Sequence, residues 1–154
     1  MRGNPTDTLS LLNDLSAGTA NSAAYEIRED GDAQRPMQTI ARQTGSCRDF
    51  AVLFAEVARS LGFGARVVSG YLNNLDERSI GSAGAGTTHA WTEIYLPGAG
   101  WIAFDPTNRR LGGANLIPVA VARDIRQAMP VVGSFSGPND AFDAMSVEVT
   151  VSPL

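Results

Sequence analysis

The chain has 154 residues, of which 44% are hydrophobic and 18% charged. That length suits one domain able to bury about 70% of its unfolded surface, and the composition excludes a disordered chain. The net charge is −4, the basic residues are arginines scattered apart from the pair Arg109-Arg110, and there is no lysine, so no phosphate-binding stripe and no nucleic-acid partner is expected. No apolar run approaches the roughly 20 residues of a membrane helix, and MRGNPTDTLSLL at the N-terminus lacks a signal-peptide core. A soluble, cytoplasmic protein without a membrane partner is therefore expected.

Residues 6–20 predict a helix with Leu9, Leu12 and Leu15 on one side and Thr6 or Asp7 as its cap. Residues 30–35 are polar and turn-like. Pro36 suits a first helical turn, predicting a short helix through Gln43. The clearest element follows, with Phe50, Leu53, Phe54, Val57 and Leu61 building one apolar stripe. Ser46 fits its N-cap, Asp49 the partner in a capping box, and Gly62 a left-handed end.

Residues 65–72 then predict a strand, followed by a Gly/Ser/Asn-rich loop over 73–86. Residues 88–96 alternate as a strand, Pro97-Gly98-Ala99-Gly100 signals a turn, and 101–104 resume strand character. Asp105-Pro106-Thr107-Asn108 ends that hairpin. Further strands are predicted at 116–122 and 145–151. Helices precede an antiparallel sheet, which makes the fold class α+β.

One cysteine excludes an internal disulfide, and one cysteine with one histidine leaves too few ligands for a metal site of that kind. A single chemical pairing remains. Cys47 falls at the first helical position, where unpaired backbone N–H groups and the helix dipole favour a thiolate. The same N–H groups can donate to an oxyanion. A structural cysteine would sit more naturally inside the apolar stripe.

By strand alternation His89, Trp91, Glu93 and Tyr95 share one face, and Ala90, Thr92, Ile94 and Leu96 the other. His89 can serve as base and acid to a thiol. Asp105 lies 16 positions later across a hairpin. If the loop at Pro97 has an odd length, both side chains emerge on one face, where the carboxylate can fix the imidazole tautomer. Asp-Pro-Thr-Asn is also an ordinary turn opener.

Three blocks now resemble one family. Gly45-Ser46-Cys47-Arg48-Asp49-Phe50-Ala51 with Leu61–Tyr71, then Thr88–Tyr95, then Gly100–Thr107 look like the bacterial transglutaminase-like family. The likeness spans residues 36–124, with the C-terminal strand looser. It implies a papain-like cysteine fold: a nucleophile helix packed on an antiparallel sheet that carries His and Asp. Cys47 matches the nucleophile, His89 the base and Asp105 the orienting acid. The implied activity is acyl transfer on amides of proteins or peptides, by hydrolysis or transfer to an amine, without a cofactor.

Two features depart from that pattern. Animal crosslinking relatives carry Trp after the nucleophile, where this chain has Arg48, which lowers the expectation of crosslinking. Relatives of this subtype carry a β-rich region before the catalytic domain, so residues 1–154 are expected to be one domain, excised or short. Gln43 is a candidate side-chain oxyanion donor, although its spacing to Cys47 differs from papain-like enzymes. Trp91, with Tyr95 and Trp101, is a candidate cleft wall unless the aromatics are core, and Tyr71 with the 73–86 loop a candidate gate. Competing readings are an inactive relative serving as a binding module, or the same triad used for arylamine acetyltransfer or deglycosylation of Asn-linked sugars. Substrate identity and oligomeric state stay open.

Overall fold

A computed structural model describes residues 7–28, 32–73, 86–129, 134, 136–138, 140–141 and 149–151. In chain order the elements are α1 (Thr8–Asn21), β1 (Ala24–Tyr25), α2 (Pro36–Arg42), β2 (Thr44–Gly45), α3 (Cys47–Ser60), β3 (Gly64–Asn73), β4 (Gly86–Leu96), β5 (Gly100–Asp105), β6 (Arg110–Leu111) and β7 (Leu116–Ala122), with a 3-10 turn at Ile125–Gln127. Five strands form one antiparallel sheet in the order β6-β5-β4-β3-β7. The short strands β1 and β2 pair in parallel apart from it. This is the α+β architecture that the element order predicts.

Asp7 caps α1, its carboxylate accepting from the Ser10 N–H at 3.0 Å. Of the three leucines expected on one side, Leu12 is fully buried and Leu15 packs against the core, whereas Leu9 is exposed. Spacings of three residues slip round a helix of 3.6 residues per turn, so Leu9 and Leu15 cannot both share Leu12's direction. Helix α2 stops one residue early, with Gln43 taking a left-handed C-cap conformation (φ 54°).

Helix α3 lies across the sheet. Phe54 and Ala58 meet Leu12, Ile94 and Phe104, while Ala51 and Ala55 meet Val67, Ala90 and Ile125. Its last turn closes on Gly62, whose φ of 89° suits only glycine without strain. Thr92, fully buried on β4, donates its hydroxyl to the Ala51 carbonyl at 2.7 Å, fixing the helix axially over that strand. Ala90, Thr92 and Ile94 thus point at α3, as alternation predicts.

The other side of the sheet packs Trp91 against Val68, Leu72 and Leu116. Gly70 lies beneath β7, where a Cβ would stand 2.0 Å from the Ile117 carbonyl oxygen. Only a residue without a side chain lets β7 approach β3 there, and the register slips at this same point. Residues 74–85 of the expected loop and 145–148 of the expected last strand lie outside the described residues. Residues 149–151 carry no regular secondary structure.

Candidate active site

Cys47 begins α3. Ser46 before it is extended (φ −87°, ψ 175°) and buried, so the chain enters the helix from β2 with Cys47 turned toward the sheet. The sulfur is half-buried and packs at the edge of the cluster containing Ala51 and Ala90.

The start of α3 is held by one carboxylate. Asp49, with no exposed surface, accepts from the Ser46 N–H (2.8 Å) and the Ser46 hydroxyl (3.0 Å). It also accepts from the Gln34 N–H (2.6 Å), the Gln34 side-chain amide (3.0 Å) and the Arg28 guanidinium (2.8 and 3.0 Å). Burial alone would raise its pKa, but the Ser46 and Gln34 hydrogen bonds hold it below the ordinary carboxylate value. Asp49 therefore does more than close a capping box. It ties the segments around residues 28 and 34 to the turn that carries Cys47.

His89 sits on β4 and is 5% exposed. Its Nε2 lies 2.8 Å from Oδ2 of Asp105. The hairpin explains the meeting: Leu96 pairs with Gly100, leaving a three-residue loop, and Thr92 pairs with Phe104. An odd loop with an even separation puts His89 and Asp105 on one face at neighbouring positions. Asp105 also opens the turn, accepting from the Asn108 N–H (3.2 Å) and the Asn108 side-chain amide (2.8 Å). One carboxylate thus bonds both the turn and the imidazole.

Cys47 stands close enough to the same imidazole to favour its protonated form. With Nε2 bonded to Asp105, Nδ1 is the ring nitrogen left to face another group. Burial would lower the His89 pKa, but the hydrogen bond it makes to Asp105, with Asp105 and Cys47 both close by, pushes it up to about 10. Asp105 is held below its usual value despite burial, mainly by the His89 hydrogen bond and charge. The shift favours the charged form of the imidazole, which is bonded to the Asp105 carboxylate and lies near Cys47. Such a group can stabilise a thiolate and deliver a proton to a leaving amine.

The core profile of the transglutaminase-like superfamily matches residues 1–106. The chain belongs to the transglutaminase-like superfamily. Over 106 residues this transglutaminase-like chain is 37% identical to the uncharacterized protein ML0607 of Mycobacterium leprae, covering 69% of the chain and 37% of the relative. Over 93 residues it is 30% identical to a protein-glutamine gamma-glutamyltransferase of Pseudomonas aeruginosa, covering 56% of the chain and 12% of that enzyme. The fold matches a crystal structure described as a candidate cysteine protease from Cytophaga hutchinsonii, with a TM-score of 0.65 and 29% identity. That match covers 82% of this chain and 40% of the other. The transglutaminase-like chain thus spans well under half the length of these relatives.

The remaining candidates fall differently. Trp91 is 1% exposed, and its ring stacks beside His89 with centroids 6.3 Å apart. It backs the imidazole and offers no face to a substrate, because β7 covers it through Leu116. Tyr95 and Trp101, 46% and 41% exposed, meet edge-on, with the Arg66 guanidinium 4.1 Å over the Trp101 ring. Gln43 uses its backbone to cap α2 and to accept from the Ala24 N–H at 2.8 Å. Tyr71 is half-buried and lines a recess of about 20 Å³ with Ser69, Gly70, Thr88 and Val119. Arg48, in place of tryptophan, donates to the Arg28 carbonyl at 2.9 Å.

Sequence reasoning missed Tyr25, Arg28 and Gln34, which lie before Cys47 in segments without periodicity. Tyr25 stands near enough to Cys47 and Asp105 for both to act on it electrostatically.

The raised His89 pKa sets a pH dependence for this transglutaminase-like domain. A group whose folded pKa exceeds its unfolded value of 6.5 contributes stability that is full below that value and is lost as pH rises through about 10. The urea midpoint should fall between neutral pH and about pH 10, and the fall should be smaller in Asp105→Asn. Because the chain has one histidine, an NMR titration of the imidazole reads the same group directly. A titration midpoint near 6.5 would refute the ion-paired description.

Proposed function

We propose that this chain is a cysteine-nucleophile acyl-transfer domain acting on amide bonds of proteins or peptides. The observation that carries the reading is the buried His89–Asp105 pair, hydrogen-bonded at 2.8 Å, with Cys47 at the start of α3 close enough to act on the imidazole. The likeness to a protein-glutamine gamma-glutamyltransferase and to a candidate cysteine protease supports an amide substrate, although each match spans a minor part of the relative.

In this reading the Cys47 thiolate attacks the carboxamide carbon, a C–S bond forms, and the carbonyl π pair moves onto oxygen. The backbone N–H of Cys47, free at the helix start, donates to that oxyanion. The oxyanion then collapses, the C–N bond breaks, and His89 gives its proton to the leaving amine. Asp105 holds the imidazole toward the sulfur and balances its charge. Water, or a second amine, attacks the thioester after losing a proton to His89, and the thiolate returns.

The test is to offer the protein p-nitrophenyl acetate, glutamine-donor peptides and casein, and to weigh the chain by mass spectrometry. An acyl adduct on Cys47, absent from Cys47→Ala, is the expected result. No adduct with any of the three would remove the enzymatic reading and favour a binding module.

A further inference from the structure

The acyl-transfer reading needs more than one donor at the oxyanion, and the structure narrows the side chains that can supply it. Gln34 spends its amide N–H groups on the Thr44 carbonyl (3.1 Å) and on Asp49 (3.0 Å). Gln43 is an exposed, left-handed C-cap. Tyr25 is a polar side chain from outside the triad that stands within electrostatic reach of Cys47.

Its placement follows from strand pairing. β1 and β2 run parallel, with Tyr25 opposite Gly45, and the Glu26 N–H donates to the Gly45 carbonyl at 2.9 Å. Paired residues project to one side, and Ser46 is extended, so Cys47, two positions after Gly45, lies on that side as well. Gly45 has no side chain to fill the space. A Cβ there would lie 3.3 Å from the Phe50 ring, and the Tyr25 ring packs against that same ring with centroids 6.4 Å apart. The strand is held down by contacts within two residues of the nucleophile: Arg28 to Asp49, and Arg48 to the Arg28 carbonyl. The half-buried phenol ends within electrostatic reach of both Cys47 and Asp105.

We propose that Tyr25 is a catalytic residue, its phenolic O–H donating to the oxyanion formed when Cys47 attacks a carbonyl, together with the Cys47 backbone N–H. Burial, with the charges at Cys47 and Asp105 adding to it, raises the phenol to about 12. The group therefore keeps its proton across the working range and acts as a donor without titrating. It supports the step in which the C–S bond forms and the carbonyl pair moves to oxygen, and it releases that oxygen when the leaving group departs.

This inference rests on the acyl-transfer reading, so its test separates the two. Tyr25→Phe keeps the ring and its contact with Phe50 and removes only the hydroxyl. Two reactions of Cys47 are followed in wild type and variant: acylation by p-nitrophenyl acetate, which passes through an oxyanion, and alkylation by iodoacetamide, which does not. Acylation should slow about tenfold to a hundredfold, while alkylation stays within about threefold. Equal slowing of both reactions would make Tyr25 a support for the thiolate and overturn the proposal, as would no slowing of either. If the wild type alkylates but never acylates, the acyl-transfer reading itself fails. Should Tyr25→Phe lose its cooperative melt, 3-fluorotyrosine at position 25, a stronger donor, should speed acylation and leave alkylation unchanged. No gain in acylation there would equally overturn the assignment.

Discussion

The His89→Ala protein is expected to lose acylation by roughly 10³–10⁴-fold and to alkylate with iodoacetamide far more slowly than wild type. The reason lies in the charge at the site. His89 is buried, bonded to Asp105 and close to Cys47, and in the proposed mechanism its charged form offsets the attacking thiolate and faces the leaving group. Without it, the thiolate has a carboxylate for a neighbour and no counter-charge, so both the nucleophile and the proton donor are lost. This pattern differs from the one expected of Tyr25→Phe, in which only the oxyanion-forming reaction slows. Asp105→Asn should lie between them: the imidazole keeps a hydrogen-bond partner but loses the charge that raises its proton affinity. Alkylation rates in His89→Ala equal to those of wild type would show that the thiol is not activated by its neighbour.

Asp49→Asn is expected to cost about 3–5 kcal/mol, the cost of breaking a buried pair and leaving its charge uncompensated. Asp49 is fully buried and is the common acceptor of Ser46, Gln34 and Arg28, and an asparagine turns half of that acceptor into a donor facing other donors. Against the roughly 5–15 kcal/mol of an ordinary domain this is a fifth of the total or more. Urea unfolding should show a lower midpoint at unchanged slope. The pH dependence has a definite sign. A carboxyl whose folded pKa lies below its unfolded value of 3.8 contributes stability that is present above that value and is lost as pH falls through the folded pKa. Acid should therefore destabilise the wild type more than Asp49→Asn. A loss below about 1 kcal/mol would mean that the α3 start is held by something other than this carboxylate.

Much of the site was legible before the structure. Cys47 and His89 are each single in the chain, which leaves one obvious chemical pairing, and position rather than composition argues for it. The α3 stripe, the Ser46 cap and the Gly62 end locate the nucleophile at a helix start. Hairpin parity puts Asp105 on the face of His89, because side-chain alternation in a strand depends only on counting residues. The strands at 65–72 and 116–122 were readable for the same reason, since both are local patterns.

What only the tertiary structure decided depends on approach between distant segments. Trp91 carries the same face label as His89, yet counting cannot show that β7 lies across it and makes it core. Asp49 reads as a local cap, and nothing in its neighbourhood announces that Arg28 and Gln34 converge on it. Tyr25 belongs to a two-residue strand with no periodicity, and it comes within electrostatic reach of Cys47 because β1 pairs with the segment that leads into α3. Local sequence determines which way a side chain points along its own element. Which other element meets it there is set by packing the whole chain, and that packing brought the tyrosine within reach of Cys47, the buried carboxylate to the α3 start and the indole beside His89.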